Sequence, residues 1–429
     1  NHFYRAMRII FFVSLIGWVS FSSLKAQLSL EMCIDSAIAN HPRSQNMALI
    51  KRITENKLEN YTSSWYPDFT VKGQATYQSD VIEFDLETPM QGLEFPSVPK
   101  DQYKLYLDIR QTLYDGGQTK KKKALEELSS GIKITETENE IENIRSDIIE
   151  LYYNILKLQE QTEIMNITRH QLQEHEKVVR ASVANGIALK SDIDLVVVEF
   201  LDITQEIDNT RKKINSLLKL LSSLTGMDIS RDIRLENTEF GQREMEVKRK
   251  ELKLVEQHME VTRKSAELLN VSRRPVAFAF GQAGYGKPGL NMLNDEFDSY
   301  YLVGFGLQWQ IWDWSKTKRE KGNLNNEVDL LRNEKKALEE NIERARISQK
   351  TEIEEHRRNI NNYTKILELR KKISETYRDQ LDNGTIKTID YLKVLNQEKI
   401  MKIRLKTEKI LHQQAIAKYR LISGDLIFE

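Results

Sequence analysis

The sequence contains little cysteine, proline or glycine. Its 429 residues include one cysteine, seven prolines and eighteen glycines, and 64 basic residues balance 64 acidic ones. The single cysteine, Cys33, excludes an intramolecular disulfide framework and any metal site built from several cysteines. The balanced charge provides no overall field that would favour nucleic acid. The scarcity of helix breakers, together with 30% charged residues, indicates long helices with solvated faces.

Common catalytic motifs are missing as well. The seven histidines are scattered, and none belongs to a His-Glu-x-x-His pair. His170 and His175 are five residues apart on a predicted helix, so we expect both at the surface, on different sides. The sequence has no phosphate-binding glycine loop and no Gly-x-Ser-x-Gly elbow. We therefore predict a protein that is not an enzyme and that has no catalytic residue, no cofactor and no metal site.

The N-terminal residues have the order of a secretory signal peptide. After a basic residue, an apolar run extends from Ile9 to Val19, and a stretch of small residues ends at Ala26. The apolar run is short for a membrane anchor. We predict that residues 1–26 comprise the signal peptide and a few residues upstream of it.

The chain contains an internal repeat. The segment "YKLYLDIRQTLYDGGQTK" (103–120) aligns without a gap with "YLVGFGLQWQIWDWSKTK" (301–318). Both alternate apolar and polar residues, as half-buried strands do, before reaching an aspartate. A second pair of alternating segments follows Pro67 and Pro275, although Phe278 and Phe280 fall on the polar face of the latter. The predicted strands are 67–78, 103–114, 275–285 and 300–312.

Long proline-free runs follow the repeated aspartates. Residues 118–184 and 316–382 each predict a helix of about 100 Å at 1.5 Å per residue. Each run ends at an Asn-Gly turn, within "ANGIALKSDID" and "DNGTIKTIDYL", and a second helix then returns. A further helix opens each half, over about 29–64 and 243–272. The predicted repeats are 27–224 and 243–429, with returning helices 187–224 and 385–424 and an irregular equatorial connector over 225–242.

Strands with one apolar and one polar face suit a transmembrane barrel. Every backbone group must be paired in lipid, and such barrels have at least eight strands, so four strands cannot close one. Two chains would supply eight strands and three would supply twelve. Aromatic residues near the strand ends, such as Tyr66, Tyr114 and Trp312, are typical of membrane interfaces. The predicted lipid-facing residues are Leu105, Leu107, Ile109, Val303, Phe305 and Leu307.

Several motifs occur in register along the chain: "LSLEMCIDSAIANHP" (28–42), "SWYPDF" (64–69), "QTLYDGG" (111–117) and both Asn-Gly turns. On these motifs the chain resembles the TolC-like outer-membrane efflux proteins over nearly all of its mature length. The resemblance implies a mixed α+β membrane protein, internally duplicated. Its long α-helical coiled-coil tunnel would be continuous with a transmembrane β-barrel shared by a homotrimer, with four strands per chain.

The resemblance also implies a place and a function. The barrel would lie in the outer membrane of a Gram-negative bacterium, among outer-membrane lipid, and the tunnel would cross the periplasm. The protein would be the exit duct of a tripartite efflux or secretion system. Its partners would be a periplasmic adaptor and an inner-membrane pump of the resistance-nodulation-division, ABC or major-facilitator type. Nothing in the sequence selects between drugs, metal ions and proteins as cargo.

In such proteins the helix turns meet the adaptor, and side chains nearby close the periplasmic aperture. Asp192 and Asp390 match acidic positions of that aperture, and both are also placed to cap the returning helices. Lys393 stands where a second acidic residue would fall, which argues against a cation-attracting entrance. The tip residues that the resemblance implies are Asn185, Gly186, Ala188, Leu189, Lys190, Asn383, Gly384, Ile386 and Lys387.

A periplasmic coiled-coil scaffold or tether without a pore is the alternative. It would use the strands as a small sheet, and it would stay soluble without detergent.

Overall fold

The computed structural model describes residues 27–81, 98–241, 243–292 and 294–424. The predicted signal peptide lies outside these residues. The chain divides into two compact units. We call residues 45–138 and 250–339 the sheet unit, and the described residues of 1–44, 139–249 and 340–429 the turn unit.

The described residues form seven α-helices and six strands. The helices are α1 (Leu30–Asn40), α2 (Asn46–Ser63), α3 (Gln118–Ala184), α4 (Lys190–Thr225), α5 (Lys250–Val271), α6 (Lys316–Asp382) and α7 (Thr388–Ser423). The strands are β1 (Gln27–Leu28), β2 (Asp68–Tyr77), β3 (Asp101–Tyr114), β4 (Arg234–Leu235), β5 (Val276–Lys287) and β6 (Asp298–Gln308). Within these described ranges, no helix combines the length and the hydropathy that crossing a bilayer requires.

The two long helices, α3 and α6, start at equivalent aspartates of the repeat. The Asp115 carboxylate accepts hydrogen bonds from the backbone N–H groups of Gly117 (2.7 Å) and Thr119 (2.6 Å). Asp313 accepts one from the N–H of Thr317 at 2.9 Å. Burial alone would raise the pKa of Asp115, but these hydrogen bonds lower it below its ordinary value. Each aspartate therefore satisfies N–H groups that the first turn of its helix leaves unpaired.

The helix that opens the first half is not continuous, so the predicted single helix over 29–64 is wrong. Helix α1 ends at Asn40, and Pro42–Gln45 forms a 3₁₀ turn before α2 begins. Proline has no N–H to donate, and it disfavours helical backbone at His41, which is extended with ψ 130°.

The helix that opens the second half, α5, begins at Lys250 rather than at 243. Just before it, the Lys248 N–H donates to the Ser423 carbonyl (2.8 Å), which draws this segment out of a helical path.

The core of the turn unit lies around Tyr152 of α3. Its hydroxyl oxygen is 2.7 Å from the Leu28 carbonyl oxygen and 2.6 Å from that of Glu236. The connector over 225–242 was predicted to be irregular, yet it contains β4, which pairs in parallel with β1. Cys33 is buried in the same core, and burial raises the pKa of its thiol to about 12. The core therefore joins the start of the described chain to the connector.

The sheet unit contains an antiparallel sheet in the order β2-β3-β5-β6. Strand β6 ends at Gln308 rather than at 312, because its last partner is Val276 and the preceding Pro275 has no N–H to continue the ladder. Every other strand end lies within two residues of its predicted position. Strands β2 and β6 are the outer strands, and nothing in the described part of the chain pairs with their outer edges.

Candidate functional site

The sheet has one apolar face, and all six residues predicted to face lipid lie on it. Leu107 is paired with Val71 on one side and with Ala283 on the other, so the three side chains point the same way. The outer strand β6 continues this face and leaves it uncovered. Val303 is 74%, Phe305 84% and Leu307 72% exposed in the single chain. Exposed apolar side chains in such a row mark a surface that something other than water covers.

The opposite face is polar and connected across strands. The Lys72 ammonium lies 2.5 Å from the Asp108 carboxylate, to which Gln282 also donates a hydrogen bond at 3.0 Å. These three side chains come from β2, β3 and β5, so a polar chain links three of the four strands at mid-height, and Leu302 of β6 lies opposite Gln282. Such a face suits contact with water.

Phe278 and Phe280 interrupt the polar face, and the structure gives the reason. Their rings lie over Gly306 and Gly304 of the neighbouring strand. A Cβ added at Gly304 would stand 2.6 Å from the Phe280 ring, so glycine lets the ring lie this close to the backbone. The Arg110 guanidinium lies 4.0 Å from the Phe278 ring centre, where a cation is attracted to the ring face. The two rings therefore pack directly against the backbone of Gly304 and Gly306, which have no side chain.

The turns that follow α3 and α6 have the same backbone conformation and the same pattern of backbone hydrogen bonds. Gly186 has φ +70° and Gly384 has φ +67°, and a Cβ at either would meet nothing within 4 Å. Glycine is therefore needed for its backbone conformation alone. The residue after each glycine donates its N–H to a carbonyl in the last helical turn, Ile187 to Ser182 and Thr385 to Gln380. With the bonds from the glycines themselves, both turns are Schellman motifs.

The returning helices α4 and α7 each begin three residues later than predicted. Leu189 and Lys387 are extended, with ψ 153° and 152°, because the chain leaves the Schellman turn before it becomes helical again. Asp192 then accepts a hydrogen bond from the Leu189 N–H at 3.0 Å, which is a capping contact. No side-chain hydrogen bond or ion pair joins Asp390 to any residue that the structure describes. The two aspartates are therefore unequal within one chain.

The predicted tip residues lie at or beside these turns, and most of them are exposed. The first turn also exposes apolar surface, since Ile187 is 73% and Leu189 is 71% exposed. Sequence analysis missed Ile187, whose position directly after the turn glycine was a usable signal. Lys393 is exposed on α7, one turn beyond the start of the helix. The starts of α4 and α7 pack in one apolar cluster, which brings both turns to the same part of the turn unit.

His175 is not the surface residue that was predicted. Its ring lies 4.9 Å from the ring of Tyr391, centre to centre, and its buried Nε2 has no hydrogen-bond partner among the described residues. Burial lowers the pKa of His175, although the Asp382 carboxylate nearby opposes that effect. Burial therefore favours the uncharged form of this imidazole. His170 is exposed, as predicted.

In the described ranges, no three His, Cys, Asp or Glu side chains are grouped so as to hold a metal ion. The arrangement that the structure does provide is a two-faced sheet in one unit and a pair of similar turns in the other.

This architecture is the fold of the outer-membrane channels. The structure resembles the outer-membrane protein VceC of Vibrio cholerae with a TM-score of 0.67 and 12% identity, over 93% of this chain and 97% of that one. CusC, described as forming a transmembrane channel, matches with a TM-score of 0.69 and 10% identity, over 92% of both chains. The MtrE channel of Neisseria gonorrhoeae, in its open state, matches with a TM-score of 0.67 and 11% identity, over 92% and 89%. The resemblance to TolC-like proteins is thus confirmed for the fold.

No family model matches the sequence, and no curated protein matches it either.

Proposed function

We propose that this protein is an outer-membrane channel, the exit duct of a tripartite efflux or secretion system, without catalytic activity of its own. The observation that carries the proposal is the uncovered apolar face of the sheet, opposite a hydrogen-bonded polar face. Lipid would cover the first face and water the second. The similarity of the fold to outer-membrane channels over nearly the whole chain supports the same reading.

The dimensions of the sheet agree with a membrane span. From Tyr103 to Leu113, strand β3 covers about 34 Å at 3.4 Å per residue, and hence about 26 Å along the membrane normal at a tilt of 40°. Exposed aromatic side chains lie near both limits, with Tyr77 near one and Tyr114 near the other. An apolar band of about 25 Å between two aromatic girdles is typical of outer-membrane barrels.

The outer strands require further copies of the chain. In lipid, the unpaired edges of β2 and β6 would leave backbone groups without partners, which is costly. Pairing of β6 in one copy with β2 in the next removes both edges and closes a ring. Two copies would give eight strands and three would give twelve, and the TolC-like proteins that the chain resembles are trimers. We infer a homotrimer with a twelve-stranded barrel.

The turn unit would then carry the contacts and the gate of the duct. The exposed turns, with Ile187 and Leu189 uncovered, suit docking of a periplasmic adaptor that links the duct to an inner-membrane pump. Among the described residues the Asp390 carboxylate has no hydrogen bond and no ion pair, so it is available to neighbouring copies. Three copies each of Asp192, Asp390 and Lys393 would line the periplasmic aperture and hold it closed at rest.

Electrical recording in planar bilayers tests the proposal directly. We expect the full chain, extracted from membranes in detergent, to produce discrete conductance steps, and protein dissociated by heat to produce none. A scaffold or tether would instead remain soluble without detergent and would leave the bilayer silent.

A further inference from the structure

Basic side chains concentrate where the strands pass into the long helices. Residues 115–123 and 313–321 contain eight lysines or arginines and three acidic residues, in a chain whose overall charge is zero. Two of the acids, Asp115 and Asp313, accept backbone hydrogen bonds at the helix starts, and the third, Glu320, is paired with Lys316 at 3.8 Å. The two segments therefore carry a local excess of positive charge, which these three acidic residues do not neutralise.

Four of these lysines are exposed and have no partner that the described residues supply. They form no ion pair and no side-chain hydrogen bond there, unlike Lys121, which pairs with Glu267 at 2.6 Å. We call these four residues the basic collar: Lys120, Lys122, Lys318 and Lys321.

The helix dipole makes this placement unfavourable for the helices themselves. The N-terminus of a helix carries partial positive charge, so acidic residues are favoured there and lysines are not. Neither α3 nor α6 has an acidic residue in its first turn, where Lys120 and Lys318 lie. Helix stability therefore does not explain why these lysines are present, whereas binding of an external anion would explain it.

Exposed indoles lie beside the collar. Trp312 and Trp314 are 67% and 79% exposed, and their rings meet edge to face at 5.9 Å. We call them the indole pair. Exposed tryptophans at the end of a lipid-facing strand are typical of the boundary between headgroups and acyl chains.

The backbone holds Trp314 outward at a local energetic cost. Trp314 has φ +51° and Ser315 has φ +59°, in the region that bulky residues rarely adopt. In the first half of the repeat the equivalent position is Gly116, where a Cβ would lie 2.7 Å from the Arg274 Cβ. At the second position the side chain stands in open space, and Arg319 donates to the Trp314 carbonyl at 3.0 Å. A strained tryptophan where its twin is glycine points to a function for the indole.

We propose that the basic collar and the indole pair bind the anionic phospholipids of the leaflet nearer the helices. This inference rests on the proposed membrane span of the sheet. The collar lysines lie within the first six residues of α3 and α6, about 8 Å of helix at 1.5 Å per residue, which matches the depth of the headgroup region. The ammonium groups would meet lipid phosphates, while the indoles sit at the base of the headgroups.

Counting retained lipids by native mass spectrometry tests this inference. The detergent-extracted full chain is mixed with equal amounts of phosphatidylglycerol and phosphatidylcholine. We expect the parent to retain phosphatidylglycerol preferentially, and the variant Lys120→Gln, Lys122→Gln, Lys318→Gln, Lys321→Gln to lose about tenfold of that preference. The same four positions changed to Arg should keep it, because the charge is unchanged. A matched variant with Lys213, Lys219, Lys365 and Lys372 changed to Gln should also keep it.

Two further variants of the assay separate lipid binding from other causes. Trp314→Gly, which restores the residue type of the twin position, should lower retention of both lipids while the assembly stays intact. An excess of glycerol phosphate, which has the headgroup phosphate without acyl chains, should not displace phosphatidylglycerol. Displacement would show a simple anion site and overturn the proposal.

Failure of the lipid-binding inference can be distinguished from failure of the proposed function. If the parent inserts into vesicles of phosphatidylcholine alone but shows no preference for phosphatidylglycerol, only the lipid inference is wrong. The same holds if the collar variant keeps the preference of the parent. If the parent inserts neither into these vesicles nor into vesicles that also contain phosphatidylglycerol, the membrane span itself is wrong.

Discussion

Leu107→Arg should remove most of the assembled protein from the outer membrane. Leu107 lies on the apolar face of the central strand β3, level with Val71 and Ala283. An arginine at the bilayer midplane destabilises a barrel by about 2–4 kcal/mol, and a trimer would carry three copies of it. The measurement is the amount of trimer in the outer-membrane fraction, with total synthesis compared in parallel.

Thr70→Arg is the matched control, because it places the same side chain at the same height on the polar face. Thr70 is paired with Asp108, whose carboxylate can accept the guanidinium. We expect Thr70→Arg to assemble, and Asp108→Asn to assemble as well, since an amide oxygen still accepts from Gln282. If either control is the damaging variant while Leu107→Arg assembles, the assigned facing of the sheet is inverted.

Asp192→Ala combined with Asp390→Ala should leave a folded trimer whose resting conductance is raised. Exposed ion pairs contribute about 0–1 kcal/mol each, so loss of three symmetry-related sets should shift the closed and open populations by about tenfold. Most of the effect should come from Asp390→Ala. The Asp192 carboxylate is engaged with the Leu189 N–H, whereas that of Asp390 has no hydrogen bond or ion pair among the described residues. Conductance in planar bilayers is the measurement.

The control for the gate is Asp208→Ala with Glu368→Ala, which removes two exposed carboxylates of the same unit away from the turns. It should conduct like the parent. Asp192→Ala alone should loosen the first turn of α4 by about 0.3–1 kcal/mol, because a carboxylate there favours the helix dipole. A double variant that conducts like the parent, but whose trimer dissociates at a lower temperature, would show that the aspartates are caps and not gate residues.

The parts of the fold that could be predicted are those determined by residues close together in the sequence. The long helices follow from proline-free runs between an aspartate and a glycine, and the apolar face follows from alternation within each strand. The late starts of α4 and α7 could not be predicted, because they depend on how far the chain stays extended after the Schellman turn. Pro42 indicates the break before α2, but the prediction overlooked this signal.

The candidate site was less predictable where it depends on neighbours distant in sequence. The position of Phe278 on a polar face makes sense only when Gly306 is known to lie opposite, and strand pairing supplies that information. In the same way, the burial of His175 depends on Tyr391, more than two hundred residues later. Asp192 accepts a capping hydrogen bond that Asp390 lacks among the described residues, and the equal spacing of the two turns does not reveal this difference.

The central claim is that several copies of this chain close one membrane barrel, and native mass measurement of the detergent-extracted protein tests it most directly. The unpaired edges of β2 and β6 demand shared strands, so we expect a single species with the mass of three chains. Protein that is released from membranes without detergent, or that has the mass of one chain while still conducting, would contradict the account. A stable two-chain species would keep the shared barrel but exclude the trimer.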